Sequence, residues 1–487
     1  MTNAKSITQQ TFERIFQRSK DSIFDVKMSI KKYAEDAESG KTEYHNLPSF
    51  ISITRSQNAE LYQYFGKKLA ENKLIGHKHV IALDMQAGKT EMMMFIAFLC
   101  HLTGHKINWH LIVWHEQKAL IAQLRRKFKE AFDPMLDQQE MNDALTFFDT
   151  EYLTSHIITR NEAKKRMHEF ESIEDTIFLL DEDDFAIDLG RKVADFIDEG
   201  MMQTQAQFMR ALHINGGFEK RNNTLFCFSA TNPVRVCAAV NCILNATGTR
   251  WSLFAPQLPA KYWSIAKLIH NNYFHTPFTM VDWEKNTSGS YDGFVSAEGK
   301  KLIKDHIKNP DNRGLMAILR LRGDDVEIVQ RYIQRNFSGQ VRFFVFDANT
   351  KEKDPNKVLG ERSKLPIIAI IRLFMSRGND LDGDIKKRIV LYHNGCGGYD
   401  SADLQRIRLT GYDSLHPRLK IYADVETMHQ YVLYMDALRN YSHTGDVSYI
   451  SNLHIISSKH FCRNEKTGEI TATAFRHADL RDTLYEF

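Results

Sequence analysis

The stretch that most constrains the fold is Val80–Cys100, which reads VIALDMQAGKTEMMMFIAFLC. A short apolar run, a turn around Gly88 and a long apolar run predict a strand, a tight loop and a helix, in that order. Backbone N–H groups in such a loop and at the helix N-terminus can bind phosphate. Lys89 is placed to reach the β- and γ-phosphates of a nucleotide, and the Thr90 hydroxyl is placed to ligate Mg²⁺. A complete phosphate-loop motif has glycine where Leu83 stands, so this pattern needs support from elsewhere in the chain.

Two later apolar runs also end in polar residues. Thr176–Ala186 (TIFLLDEDDFA) predicts a buried strand that ends in Asp181 and Glu182, and Thr224–Pro233 (TLFCFSATNP) predicts another strand. Hydrolysis of ATP needs one carboxylate at a strand end to hold Mg²⁺ and a second to orient the attacking water. Asp181 fits the first role and Glu182 the second. An ordinary acidic loop is the alternative, and the position of this one behind the phosphate loop favours the catalytic interpretation.

Strand and helix patterns alternate along the chain, which predicts the fold class. The apolar run WHLIVW at 109–114 precedes an amphipathic helix pattern, and the same alternation resumes over 313–425. Such alternation is typical of a mostly parallel sheet with helices on both faces. We therefore expect an α/β protein with two lobes of similar construction. Residues 251–312, which include the loop-like EKNTSGSYDGFVSAEGK, are predicted to connect them.

The segments QAGKT, DEDD and SAT, in this order, resemble motifs I, II and III of superfamily-2 helicases and translocases, the DExD-box class. The resemblance implies two RecA-like lobes that bind ATP and Mg²⁺ between them. It implies that Thr90 and Asp181 hold Mg²⁺, and that Ser229 and Thr231 couple the ATP site to a nucleic-acid site. The residues that it implies in nucleotide binding at motif I are Gln86, Ala87, Gly88, Lys89, Thr90 and Glu91.

A glutamine ahead of the phosphate loop is a candidate for adenine recognition. Gln57 lies just before an amphipathic helix pattern that runs to Ala70. Its amide can donate to and accept from an adenine at once. A polar cap of the helix is the alternative interpretation of Gln57.

Residues 374–383 (FMSRGNDLDG) follow an apolar run and resemble motif V. The resemblance implies that Gly378 and Asp380 contact the ATP ribose and the nucleic-acid backbone. Together with Gly411–Tyr412, the Ser-Arg-Gly order ending at Gly378 is similar to phage- and mobile-element-associated helicase-like ATPases.

Residues 401–412 (SADLQRIRLTGY) resemble motif VI, although the usual Q-x-x-G-R order is not kept. In such motifs an arginine delivered across a cleft stabilises charge on the transferring phosphoryl group. Arg408 is the first choice for this finger and Arg406 the second. Gln405 is expected to contact the γ-phosphate or its water.

The predicted organisation has five parts. Residues 1–46 form a helical N-terminal extension, 47–250 the ATP-binding lobe, 251–312 the connector, 313–425 the second lobe and 426–487 a C-terminal extension. The resemblance does not cover the last of these, which has helical and strand-like patterns and no functional interpretation from sequence.

Composition sets further bounds. A chain of 487 residues favours several domains, and a net charge of +3 means that a nucleic-acid site must come from local clustering of charge. The six cysteines form no C-x-x-C pair, which indicates reduced thiols rather than a zinc site or a disulfide framework. No stretch resembles a membrane span or a signal peptide, so we expect a cytoplasmic protein of a prokaryote or a virus-infected cell.

The favoured function is an ATP-dependent helicase or translocase that moves along nucleic acid. DNA is preferred to RNA on the class resemblance alone. One alternative is a duplex-DNA translocase or remodeller that serves a separate nuclease, since no nuclease motif stands in this chain. The other is a non-hydrolysing nucleic-acid-binding module, which Leu83 and the irregular motif VI would suit.

Overall fold

Two six-stranded sheets form the framework of the chain, and every strand pairing within them is parallel. The structure is a computed structural model. It describes residues 56–71, 73–84, 86–101, 108–113, 121–122, 124–128, 150–181, 220–229, 251–321, 323–346, 355–372, 381–394, 409–446, 448–451, 459–463 and 470–474. No helix among them is long and apolar enough to cross a membrane.

The strands are β1 (Lys78–Ala82), β2 (Asn108–Val113), β3 (Ile157–Thr159), β4 (Thr176–Asp181), β5 (Thr224–Ser229), β6 (Trp251–Phe254), β7 (Phe274–His275), β8 (Val281–Lys285), β9 (Tyr291–Val295), β10 (Met316–Arg320), β11 (Arg342–Phe346), β12 (Ile367–Ile371), β13 (Ile389–Asn394), β14 (Lys420–Tyr422), β15 (Lys459–Arg463) and β16 (Ile470–Ala474).

The named helices are α1 (Ser56–Ala70), α2 (Lys89–His101), α3 (Thr150–His156), α4 (Arg160–Lys165), α5 (Met167–Phe170), α6 (Ile265–His270), α7 (Ala297–Lys308), α8 (Asp325–Phe337), α9 (Pro355–Gly360), α10 (Gly383–Lys386), α11 (Val425–Thr444) and α12 (Ser448–Ser451).

The first lobe is built on the sheet β3-β2-β4-β5-β1-β6. Alternate residues of its strands face opposite sides, as a strand requires. On one side Ile81 and Leu179 pack in the same apolar cluster as Met93 of α2, and on the other Val80 and Phe178 pack in the cluster that holds Phe170 of α5. Because helices cover both faces, these strands read as nearly continuous apolar runs in the sequence.

The second lobe is built on the sheet β11-β12-β10-β13-β14-β7. One face packs on α8 through residues such as Val329, and the other faces α9 to α11. The cluster on that second face is continuous with the one beneath the first sheet. The two lobes therefore share apolar core, and α11 contributes Tyr431 and Leu438 to it, both essentially inaccessible to solvent.

These sheets confirm the predicted fold class, α/β with two RecA-like lobes, each a parallel sheet with helices on both faces. The strands predicted around the three motifs of the first lobe are β1, β4 and β5. The N-terminal extension predicted for residues 1–46 lies outside the described residues, and the domain boundaries stay predictions.

The structure differs from the sequence interpretation in the stretch EKNTSGSYDGFVSAEGK, which was expected to be loop-like. It forms most of an antiparallel hairpin, β8 with β9, and the start of α7. The hairpin turns at Gly289, whose φ of +84° suits glycine, and it packs on α8. Trp283 Nε1 donates to Asp325 Oδ1 at 3.0 Å. Polar residues alternate with apolar ones along the two strands, so the stretch read as a loop in the sequence. Contacts with residues distant in sequence stabilise the hairpin.

The buried His306 of α7 generates a prediction about acid stability. Burial lowers its pKa from 6.5 to about 4. In the neutral ring, Nε2–H donates to the Ile367 carbonyl at 3.1 Å and Nδ1 accepts from Asn312 Nδ2 at 3.2 Å. The unfolded chain therefore binds more protons between pH 6.5 and 4, so the stability that the neutral ring supplies is lost as pH falls through this window.

We expect the fall in the free energy of unfolding between pH 7 and 5 to be smaller by about 2 kcal/mol in His306→Gln than in the natural chain. Urea denaturation at the two pH values measures this difference. His270→Gln is the control because His270 is exposed on α6, and its pH dependence should match that of the natural chain. Equal pH dependence in His306→Gln and the natural chain would refute the assignment.

Candidate functional site

The loop between β1 and α2, residues 83–88, is hereafter the phosphate loop. It is a tight turn in which the Ala87 N–H donates to the Asp84 carbonyl at 3.1 Å. Gly88 has φ of +102°, a conformation that favours glycine, and Gln86 has φ of +58°. The Met92 N–H donates to the Gly88 carbonyl at 3.0 Å, which starts the hydrogen bonding of α2. The sequence pattern thus folds into the predicted strand, loop and helix.

Lys89 and Asp181 meet at the carboxyl edge of the first sheet. Lys89 Nζ lies 2.8 Å from Asp181 Oδ1, and the two side chains are 15% and 16% exposed. β5 pairs with both β1 and β4, so the three predicted motif strands stand side by side. Carboxyl ends of parallel strands lie at the same edge of a sheet. This pairing is the reason why residues distant in sequence reach one another.

The structure places the other predicted residues as follows. Thr90 and Glu91 lie in the first turn of α2, and Ser229 is the last residue of β5, opposite Ala82 of β1. The backbone of Gln57 lies in the first turn of α1, and its side chain is outside the described part of the chain. The predicted residues that lie outside the described residues altogether are Glu182, Thr231, Gly378, Asp380, Gln405, Arg406 and Arg408.

A magnesium ion fits these residues without a protein-only cage. Mg²⁺ is commonly held by one or two protein oxygens together with phosphate oxygens and waters. Thr90 is the second residue of α2 and follows Lys89, whose ammonium group contacts Asp181. In the described part of the chain, no group of three or more His, Cys, Asp or Glu side chains could hold a metal ion.

Lys386 of the second lobe contacts the phosphate loop, and no motif in the sequence predicted this. Its side chain is almost fully buried. Nζ donates to Gln86 Oε1 at 3.0 Å, to the Thr410 carbonyl at 3.2 Å and to Asp413 Oδ2 at 2.8 Å. A buried ammonium needs such a complete set of acceptors. Lys386 thereby joins α10, the segment around Thr410 and the phosphate loop.

The segment that follows the predicted arginine finger lies against the same loop. Tyr412 donates its hydroxyl hydrogen to the Ala87 carbonyl at 3.3 Å, and its ring packs edge-on against Tyr262 at 5.4 Å. Gly411 pairs through its backbone with Trp263. Gly411 has φ of +122°, and a Cβ there would lie 3.3 Å from Lys386 Nζ and 3.4 Å from Gln86 Oε1. The positive φ favours glycine at this position, and a Cβ would press on the two side chains whose hydrogen bond joins the lobes.

A second cation reaches the phosphate loop from the C-terminal helix α11. Arg439 Nη2 forms an ion pair with Asp84 Oδ2, and both side chains are less than a tenth exposed. Arg439 Nη1 also contacts the exposed Asp436 at 2.6 Å. Burial raises the pKa of Asp84, and the neighbouring guanidinium acts against this rise. Burial also raises the pKa of Tyr262, and the charge of Asp84 adds to it, so the phenol stays protonated.

Comparisons with known proteins find a likeness in fold. No protein-family model and no curated protein matches the chain. The DUF1998 helicase MrfA bound to DNA and AMPPNP is similar at 14% identity and a TM-score of 0.47, over 91% of this chain and 60% of that chain. The Mycobacterium smegmatis helicase Lhr bound to ssDNA and AMP-PNP is similar at 10% identity and a TM-score of 0.44, over 88% of this chain and 59% of that chain.

The DEAD-box helicase Mss116 bound to ssRNA and UDP-BeF is similar at 12% identity and a TM-score of 0.43, over 78% of this chain and 77% of that chain. The chain spans about three fifths of the length of MrfA and Lhr. At these identities and TM-scores, function has to be argued from the residues of the chain itself.

Replacement of Lys386 tests the contact between the second lobe and the phosphate loop. We expect Lys386→Met to lower the free energy of unfolding by about 2 kcal/mol, because Gln86 Oε1 and the Thr410 carbonyl lose their donor. Urea denaturation measures this loss. The adjacent Lys387 is 55% exposed and 3.4 Å from the exposed Asp384, so Lys387→Met should change stability by less than about 0.5 kcal/mol. Equal effects of the two substitutions would contradict the contact.

Proposed function

We propose that the chain is a nucleic-acid-stimulated ATP hydrolase of the superfamily-2 helicase kind, which uses ATP to move along DNA. The observation that carries this proposal is the contact between Lys89 Nζ and Asp181 Oδ1 at 2.8 Å, at the edge where β1, β5 and β4 end. A loop lysine beside a strand-end carboxylate is the pair that binding and hydrolysis of Mg²⁺-bound ATP require.

The proposed roles follow from the chemistry of each side chain. Lys89 binds the β- and γ-phosphates, with backbone N–H groups of the phosphate loop and of the α2 N-terminus. Thr90 and Asp181 hold Mg²⁺, which would neutralise charge on the phosphates, and Glu182 orients the attacking water. The ammonium of Lys89 contacts Asp181 in the structure, and a bound phosphate would compete with that carboxylate.

The second lobe is proposed to complete the site. Arg408 is the arginine finger, with Gln405 on the γ-phosphate or its water, and Gly378 and Asp380 on the ribose and the nucleic-acid backbone. Gln57 of the first lobe is proposed to bind the adenine. The contacts of Thr410, through Lys386, and of Tyr412 with the phosphate loop support the role of Arg408. They show that the segment immediately after Arg408 lies beside the loop.

Movement along nucleic acid is proposed to follow from opening and closing of the lobes. A ligand that contacts both lobes when they are closed, and only one lobe when they are open, stabilises the closed arrangement. The stabilisation equals the difference in its binding free energy between the two arrangements. ATP held by both lobes therefore favours closure, and hydrolysis releases it. Ser229 and Thr231 would transmit this change to DNA bound along the sheet edges. Phosphate contacts would dominate DNA affinity, which should fall steeply with salt.

The alternatives differ in what they predict. A duplex translocase that serves a separate nuclease would be stimulated by duplex DNA above single strands. For the non-hydrolysing alternative, the sequence arguments are Leu83 in place of glycine and the irregular motif VI. Leu83 is buried in the apolar cluster that also holds Met93 of α2, so its side chain fills core space. This packing role accounts for a large apolar residue at that position.

The proposal is tested by ATP turnover without polymer and with single-stranded DNA, duplex DNA or RNA. We expect Lys89→Ala to lower turnover by about a hundredfold or more, because an ammonium that stabilises phosphoryl charge is lost. The fold should be kept, since Lys89 is the first residue of α2 and its side chain is partly exposed rather than part of the apolar core. Lys67→Ala is the control, because Lys67 is exposed in the last turn of α1. Unchanged turnover in Lys89→Ala would exclude the proposed site.

A second test concerns the finger. We expect Arg408→Ala to reduce turnover by about a thousandfold while the Kd for ATP changes little, since a finger acts mainly in the transition state. Arg406→Ala should be mild by comparison. Steady-state turnover together with equilibrium titration of ATP separates the two effects. The opposite ranking would assign the finger to Arg406, and no effect of either would remove the finger from this segment.

A further inference from the structure

The C-terminal helix α11 lies outside every motif that the sequence analysis identified, yet it touches both lobes. Its buried face includes Tyr431 and Leu438, which belong to the apolar cluster shared by the two sheets. Ser442 Oγ accepts a hydrogen bond from the Ala255 N–H at 3.0 Å, just after β6 of the first sheet. The helix is therefore anchored against the strand that flanks β1.

From this position α11 directs Arg439 to the first polar residue of the phosphate loop. The guanidinium pairs with Asp84 through Nη2 and with Asp436 through Nη1. Asp84 is 8% exposed at its side chain, whereas Asp436 is 54% exposed. The two carboxylates depend on the charge of Arg439 to different extents. Water can solvate Asp436, but a buried Asp84 carboxylate depends on its paired cation.

The backbone of Asp84 is part of the turn itself. Its carbonyl accepts the Ala87 N–H at 3.1 Å, and the intervening Gln86 has φ of +58°. A non-glycine residue with positive φ is held in that conformation by its surroundings, because other conformations are lower in energy. Anchoring the Asp84 side chain fixes the residue at which this turn begins. It therefore favours the conformation of the loop that presents its N–H groups.

We infer that Arg439 is a positioning residue for the nucleotide site, holding the phosphate loop in its binding conformation through Asp84. This inference rests on the proposed function in so far as the loop binds nucleotide. The inference gives α11 a role in that function, because docking of the helix and ordering of the phosphate loop occur together. Because the two processes are coupled, docking of α11 strengthens nucleotide binding, and nucleotide binding strengthens docking of α11 by the same free energy.

The test compares three substitutions at the pair with one at its exposed neighbour. Arg439→Gln removes the cation, Arg439→Lys keeps the charge, and Asp84→Asn removes the buried carboxylate while leaving a side chain of similar shape. Asp436→Asn is the matched control, since it is the same chemical change on the other partner of Arg439. The first measurement is hydrogen exchange of peptides covering 84–92 in the chain without nucleotide. The second is the Kd for Mg²⁺-bound ATP, by calorimetry.

We expect exchange in 84–92 to be about tenfold faster or more in Arg439→Gln and Asp84→Asn, since local opening exposes these amides. The Kd should weaken in the same two variants, by no more than the factor seen in exchange, because less of the protein then has the competent loop. Arg439→Lys should recover part of both losses, and Asp436→Asn should match the natural chain. If Arg439→Gln does not fold, Asp84→Asn alone carries the comparison with Asp436→Asn.

Exchange in 84–92 that is equal in Asp84→Asn and Asp436→Asn would overturn the inference. The inference would also be overturned if exchange in 84–92 were slower than natural in Asp436→Asn and unchanged in Asp84→Asn. Failure of the natural chain to bind ATP would contradict the proposed function instead. The exchange measurement needs no nucleotide, so it would still decide whether Arg439 positions the loop.

Discussion

Parallel pairing in the first sheet is the constraint on which the candidate site depends. β5 lies between β1 and β4, with Ser229 opposite Ala82 and Phe228 opposite Asp181. Three segments that are distant in sequence consequently end at one edge, and Lys89 begins the helix that follows β1. The contact between Lys89 and Asp181 depends on this order of strands, because a different neighbour for β1 would separate the two side chains.

The ion pairs of the phosphate loop differ in burial, and the difference suits different roles. The side chains of Lys89 and Asp181 are partly exposed, at 15% and 16%, so a phosphate can reach the ammonium and replace the carboxylate there. The pair of Arg439 with Asp84 is buried, and removal of one partner from such a pair costs about 3–5 kcal/mol. We interpret the first as an exchangeable contact and the second as a fixed support.

Local patterns predicted the elements of the first lobe but not what holds the phosphate loop from outside. An apolar run before a glycine turn defines a strand and a loop within a short window, so β1 and α2 could be predicted. Lys89 and Asp181 were each assigned to a nucleotide site, and the structure brings them into contact. Lys386 and Arg439 come from parts of the chain that no short pattern connects to the loop. Tyr412 ends the segment that resembles motif VI, but its hydrogen bond to Ala87 was not predicted. These contacts depend on how two sheets and α11 pack through a shared core. The roles of Glu182 and Arg408 stay predictions, since both lie outside the described residues.

The central claim is that the phosphate loop is a nucleotide site supported by the second lobe and by α11. Hydrogen exchange of the natural chain, with and without Mg²⁺-bound ATP, tests it most directly. Nucleotide should slow exchange in 84–92, in 409–413 and in the last turns of α11 at the same concentration of ATP. Protection confined to 84–92 would contradict the coupling between these segments, and no protection anywhere would contradict the nucleotide site itself.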